Sequence, residues 1–105
     1  MPSPFRILVA DDHPLFRDGV AQSLGSDPDF EIVAQASSGD EAVELARRLN
    51  PDMVVMDIQM AGGGGVAAAG RIHALLPHVR ILMLTVSENE DSLLAAFKAG
   101  AHGYV

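Results

Sequence analysis

Short, continuously apolar runs alternate with amphipathic stretches along the chain. The runs cover Phe5 to Ala10, Phe30 to Ala36, Met53 to Met56 and Ile81 to Thr85. The amphipathic stretches that follow them cover Leu15 to Leu24, Ala42 to Leu49, Val66 to Leu76 and Leu93 to Ala99, and a fifth run opens at His102-Gly103-Tyr104-Val105. An apolar run of this length with no alternating polar positions reads as a strand buried on both faces of a parallel sheet. The amphipathic segments read as helices laid on those faces, so the repeat predicts a doubly wound α/β domain.

The punctuation agrees with this division. Pro14 suits the first turn of a helix, Ser38-Gly39-Asp40-Glu41 and Ser87-Glu88-Asn89-Glu90 fit capping boxes, and Asn50-Pro51, Pro77 and Gly100 are stops. In the second helix Ala42, Leu45, Ala46 and Leu49 form one apolar stripe, which leaves Glu41, Glu44, Arg47 and Arg48 toward water. The low-complexity stretch Ala61-Gly62-Gly63-Gly64-Gly65 falls between the third strand and third helix, either as a mobile loop beside a functional edge or as a loose connection.

Composition narrows the function classes. A chain of 105 residues with 49% hydrophobic content and mean hydropathy +0.22 has room for one domain, 1–105, around one core. The net charge of -7 disfavours contacts to a phosphate backbone, so direct DNA binding by this segment is not expected. There is no cysteine for a disulfide or thiolate site, and no apolar run approaches the roughly 18 residues of a membrane span. Met1-Pro2-Ser3-Pro4-Phe5-Arg6 lacks the apolar stretch of a signal peptide, which makes the cytoplasm the expected location.

The candidate chemistry sits at strand ends. Asp11-Asp12 close the first run and Asp57 closes the third, and parallel strands deliver their carboxyl ends to one edge of the sheet. Three acids on one edge repel unless a cation joins them, and hard oxygen ligands suit Mg²⁺. Taken singly, Asp11-Asp12 could instead be a helix cap with a first-turn acid, and Asp57 a polar strand end.

With Thr85 after the fourth run and Tyr104 in the fifth, this set resembles the response-regulator receiver family. The segments Asp11-Asp12-His13-Pro14-Leu15-Phe16-Arg17 and Gly100-Ala101-His102-Gly103-Tyr104-Val105 are similar to the branch whose full-length members carry a LuxR-type helix-turn-helix output domain. The resemblance implies a flavodoxin-like (βα)5 sheet of order 2-1-3-4-5, here without the fifth helix. It implies that Asp57 accepts a phosphoryl group from a sensor histidine kinase. Asp12, Asp57 and the main-chain carbonyl of Gln59 would be direct Mg²⁺ ligands, and Asp11 would act through water. Thr85 would contact the attached phosphoryl group, and Tyr104 would be the aromatic that turns inward in response. A homodimer is expected, with DNA reached only through an output domain absent from this chain. Such a domain is a switch rather than an enzyme.

The sequence also departs from the family pattern. Val86 stands where a smaller residue is usual and Ala61 where many members have proline; the family's lysine after the fifth strand would fall beyond Val105. His13, His73, His78 and His102 lack metal-ligand spacing and are expected to be structural or exposed; His13, adjacent to the acids, could affect their pH response but is expected rather to help start the first helix. Core packing is expected of Met53, Met56 and Met83. Three competing readings remain. A haloacid-dehalogenase-type phosphatase would need Asp-x-Asp, where Gln59 stands, and a flavodoxin-like cofactor binder would need phosphate donors where Asp11-Asp12 repel phosphate. A phosphorylation-independent interaction module is the third.

Overall fold

The computed structural model describes residues 4–58, 60 and 64–84 in full, and the backbone of 103–104. Its elements in chain order are β1 (Phe5–Ala10), α1 (Pro14–Gly25), β2 (Phe30–Ala36), α2 (Gly39–Leu49), β3 (Met53–Asp57), α3 (Gly64–Leu75), β4 (Arg80–Leu84) and β5 (Gly103–Tyr104). The strands form one parallel sheet in the order β2-β1-β3-β4-β5. The doubly wound reading and the strand order are both borne out. The amphipathic stretch Leu93 to Ala99 and the capping box at Ser87 lie outside the described residues.

Alternation along the central strands sorts side chains onto two faces. Leu8 and Ala10 of β1 join Val54 and Met56 of β3, Ile81 and Met83 of β4, Ala42, Val43 and Ala46 of α2, and Ala68, Ala69 and Ile72 of α3 in one buried cluster. Ile7, Val9 and Val55 point the other way, toward Ala21 of α1, with Val20, Leu24, Phe30, Ile32 and Leu82 packed around them. Because both faces are covered, Ile7 to Ala10, Met53 to Met56 and Ile81 to Leu84 carry no polar positions, which explains why these stretches are continuous rather than alternating.

One feature of β2 escapes simple alternation. Phe30, Ile32, Ala34 and Ala36 are spaced as residues of one face, yet Ile32 packs on the α1 side and Ala34 and Ala36 on the other. The register steps from Ile7↔Ile32 to Leu8↔Ala34, which leaves Val33 as the extra residue of a bulge that turns the strand over. Placing the bulge here lets one strand serve both cores.

The helix ends follow their local chemistry. Ser38 Oγ accepts from the Glu41 main-chain N–H at 3.1 Å, while the Glu41 carboxylate receives the N–H of Ser37 at 2.7 Å rather than that of the cap residue. At the other end of α2, Asn50 takes the left-handed conformation (φ 48°) and Pro51 follows, and Arg6 Nη1 donates to the Leu49 carbonyl at 2.8 Å. Met56 and Met83 are fully buried and Met53 partly so, as expected.

The α1 face is the less closed of the two. Leu15 is 90% and Phe16 45% exposed. With Val20, Leu24, Phe30 and Leu84 they line an apolar cavity of about 630 Å³ between α1 and the sheet. No helix among the described residues is long and apolar enough to cross a membrane.

Candidate functional site

The carboxyl ends of β1, β3 and β4 meet on one edge of the sheet. Asp11 follows β1 directly, its N–H donating to the Ala36 carbonyl at 3.0 Å. Asp57 is the last residue of β3, and the next N–H, of Ile58, donates to the Leu84 carbonyl of β4 at 3.1 Å. Both carboxylates are buried, with Asp11 2% and Asp57 6% exposed. Asp12 is half-buried beside them.

Asp11, Asp12, His13 and Asp57 each bring one ligand atom within 4.8 Å of the others. Three acids and an imidazole in so small a space can hold a divalent cation, with anionic oxygens as the dominant donors. The reading of Asp11-Asp12 as a helix cap fails here. His13 is the N-cap residue of α1, Pro14 begins the helix, and the first turn contains no acid. The acids therefore lie before the helix and face the sheet edge.

His13 is exposed and caps the start of α1, as expected, and it also contacts the acids. Its N–H donates to Asp11 Oδ1 at 2.8 Å, which bends the chain back over β1. Its Nδ1 lies 3.0 Å from Asp11 Oδ1 and 3.0 Å from Asp12 Oδ1, although the side chain is 70% exposed. The hydrogen bond to Asp11 raises the His13 pKa above its ordinary value of 6.5, reinforced by the charges of Asp12, Asp11 and Asp57 and opposed by partial desolvation. No side-chain cap bond forms at this position, so proximity to the acids is its most evident interaction.

Two further residues, Arg17 and Gly65, shape the edge. Arg17, four residues after the cap, donates from Nη1 to the Asp11 carbonyl at 3.1 Å and from Nε to Gln35 Oε1 at 3.1 Å, tying α1 to the ends of β1 and β2. Gly65, in the first turn of α3, donates its N–H to the Ile58 carbonyl at 2.9 Å and lies against the main chain of Asp57. The glycine stretch thus includes the start of α3, with Gly64 at φ +82°. Gln59 and Thr85 lie outside the described residues, as does the Tyr104 side chain; the Tyr104 backbone pairs with Met83. His78 is exposed and pairs with Asn50, 2.8 Å from ring Nε2 to Oδ1.

Comparison with known proteins converges on one family. Residues 7–105 match the response regulator receiver domain. The transcriptional regulatory protein DegU of Brevibacillus brevis is 40% identical over 100 residues, which are 95% of this chain and 42% of that protein. The nitrate/nitrite response regulator NarL of Escherichia coli K12 is 37% identical over 102 residues, 97% of this chain and 47% of that protein. The chain spans about half the length of the curated relatives it matches. Among solved structures, a LuxR-family two-component response regulator from Aurantimonas sp. SI85-9A1 superposes with a TM-score of 0.90 at 39% identity, covering 97% of this chain and 73% of that one. A signal receiver domain from Mycobacterium tuberculosis that carries the name NarL gives 0.92 at 33% identity, covering 98% and 83%. A family match over nearly the whole sequence, relatives at this identity and a shared sheet order lead to one conclusion: the chain belongs to the response regulator receiver domain family and is related to the LuxR-type regulators NarL and DegU.

Proposed function

We propose that this domain is a phosphorylation switch whose acceptor is Asp57. An Asp57 oxygen attacks the phosphorus of a kinase phosphohistidine, the P–N bond breaks, and the leaving imidazole takes up a proton. The observation that carries this reading is the buried Asp57 carboxylate at the end of β3, within 4.8 Å of ligand atoms of Asp11 and Asp12. Receiver domains of response regulators typically bind Mg²⁺ at such an acidic pocket and interact with histidine kinases.

In this reading Asp12, Asp57 and the Gln59 carbonyl hold Mg²⁺, and Asp11 acts through a bound water. The cation supplies the positive charge that the transferring phosphoryl oxygens need. The chain's own part is to fix the carboxylates: Asp11 through the Ala36 carbonyl and Arg17, Asp57 through the end of the β3–β4 ladder. Thr85 would contact the phosphoryl group and Tyr104 would transmit its arrival to the face formed by the fourth helix of the family fold and β5. The longer relatives, one of them named as a transcriptional regulatory protein, support a DNA-binding output beyond this segment. Self-association belongs to the same proposal.

The test is Mg²⁺-dependent labelling from a small acyl-phosphate donor, followed by mapping of the label. Label on Asp57 that requires Mg²⁺ is the expected result. An unlabelled chain that still binds its partner would favour the phosphorylation-independent module.

A further inference from the structure

We propose that Arg17 and Gln35 are positioning residues of the acidic site. Their paired side chains hold the Asp11–Asp12 peptide, and through it the Asp12 carboxylate, in the place where that carboxylate can take up the cation. The inference rests on the reading of Asp12 as a direct Mg²⁺ ligand and concerns the residues that set its geometry.

The Asp11 carbonyl lies past the end of the strand ladder. Ala10 is the last residue of β1 in register with β2 and β3, and the carbonyl that follows accepts from a side chain, Arg17 Nη1 at 3.1 Å. A peptide unit is planar, so holding this oxygen also holds the amide nitrogen and Cα of Asp12, which carry its carboxylate. The near side of Asp11 is fixed by the bond from its N–H to the Ala36 carbonyl at 3.0 Å. The unit is therefore held at both ends.

The guanidinium is anchored in turn, and the irregularity of β2 brings its anchor within reach. Arg17 Nε donates to Gln35 Oε1 at 3.1 Å, and Gln35 pairs in register with Val9, whose side chain faces α1. With Ile32 on the α1 side, unbroken alternation would send Gln35 to the opposite face. The extra residue Val33 returns it to α1, as bulges beside functional sites re-aim a side chain. Arginine suits the task because its planar fork offers Nε and Nη1 to two acceptors at a fixed angle, whereas lysine is a single flexible point charge. The Arg17 main-chain N–H donates to the His13 carbonyl at 2.8 Å, so the clamp is seated on the first turn of α1.

The experiment measures the MgCl2 dissociation constant by calorimetric titration of the unaltered chain, Arg17→Ala, Arg17→Lys and Gln35→Leu. Charge and positioning predict opposite signs for Arg17→Ala. Removing a positive charge makes the acidic edge more negative, which by itself tightens Mg²⁺. Loss of the clamp should instead weaken it, by about 10-fold. Arg17→Lys keeps the charge without the fork and should weaken binding too, and Gln35→Leu, which leaves the charge unaltered, should do so by about 3-fold. The rate of Asp57 labelling at saturating Mg²⁺ should fall much less than the affinity, because the acceptor is held by the β3–β4 ladder. Arg47→Ala, which removes an exposed ion pair on α2, controls for a general loss of stability and should leave the Mg²⁺ dissociation constant unchanged. Unchanged or tighter binding in Arg17→Ala and Gln35→Leu, with Asp12→Ala weakened, would overturn the inference and leave the acidic site standing. Asp12→Ala binding as tightly as the unaltered chain would overturn the parent reading as well. Gln35 is exposed on an edge strand, so Gln35→Leu decides the matter if Arg17→Ala does not fold.

Discussion

The first turn of α3 approaches the end of β3 so closely that a Cβ on Gly65 would overlap the main-chain carbonyl of Asp57. Only glycine fits there, because the obstacle is backbone rather than a flexible side chain. Gly65→Ala must therefore push α3 away from the sheet or shift Asp57. We expect a loss of about 1–3 kcal/mol in denaturant unfolding. Weaker Mg²⁺ binding should accompany it, since the carboxylate moves with its backbone. A fully stable variant with normal Mg²⁺ affinity would show that the contact relaxes at no cost.

Asp57→Asn separates chemistry from fold. It should abolish phosphoryl labelling and, in buffer free of divalent ions, stabilise the chain by roughly 0.5–2 kcal/mol, because it removes one of three crowded negative charges. Label that survives and maps elsewhere would sink the acceptor assignment. Lower stability in the metal-free state would show that the packing of Asp57 outweighs the repulsion.

Mg²⁺ should act as a native-state ligand. At a concentration about 100 times its dissociation constant it should add about 2.7 kcal/mol to the unfolding free energy and raise Tm accordingly. Asp12→Ala removes a proposed direct ligand and should eliminate most of that shift. Equal Tm responses in the two proteins would contradict the ligand set.

Much of this architecture was legible because local signals and tertiary burial agree. Phe5 to Ala10 and Met53 to Met56 read as doubly buried strands, and Ile7 to Ala10 and Val54 to Met56 are buried. Ala42, Ala46 and the charged positions of α2 fall on the faces that their spacing indicates. Asp11, Asp12 and Asp57 were legible as a site because parallel topology forces their strand ends together. The Val33 bulge was hidden, since Ile32-Val33-Ala34 is apolar throughout and does not say which residue is the extra one; only the pairing with β1 reveals the turn-over. The place of His13 beside the acids and at the start of α1 was legible from its adjacency to Asp12 and Pro14, whereas its hydrogen bonds to Asp11 depend on a bend that only the structure shows. The exposure of Leu15 was equally hidden, because its apolar neighbours read as a core-facing stripe.

Self-association should depend on the apolar residues of α1. Phe16 and Val20 line the open cavity beneath α1, and apolar surface of this kind favours contact between copies. Phe16→Ser should lower any dimer fraction measured by sedimentation while leaving Mg²⁺ binding intact, because the side chain lies on the α1 face rather than among the acids. An unchanged dimer fraction would place the contact elsewhere.

The pH dependence of stability follows from His13. Its folded pKa lies above the ordinary value of 6.5, chiefly through the hydrogen bond to Asp11 and then the charge of Asp12. A group whose pKa rises on folding stabilises the native state fully below its unfolded pKa, and that contribution is lost as pH rises through the folded value. In the absence of divalent ions, the unaltered chain should therefore be more stable than His13→Ala below about pH 6.5, and the two unfolding curves should draw together as the pH is raised further. Saturating Mg²⁺ should reduce the difference, because the cation neutralises the same carboxylates. Denaturant midpoints measured across this range on both proteins decide it: a gap that widens with rising pH would mean that the imidazolium does not stabilise the acids in the folded chain.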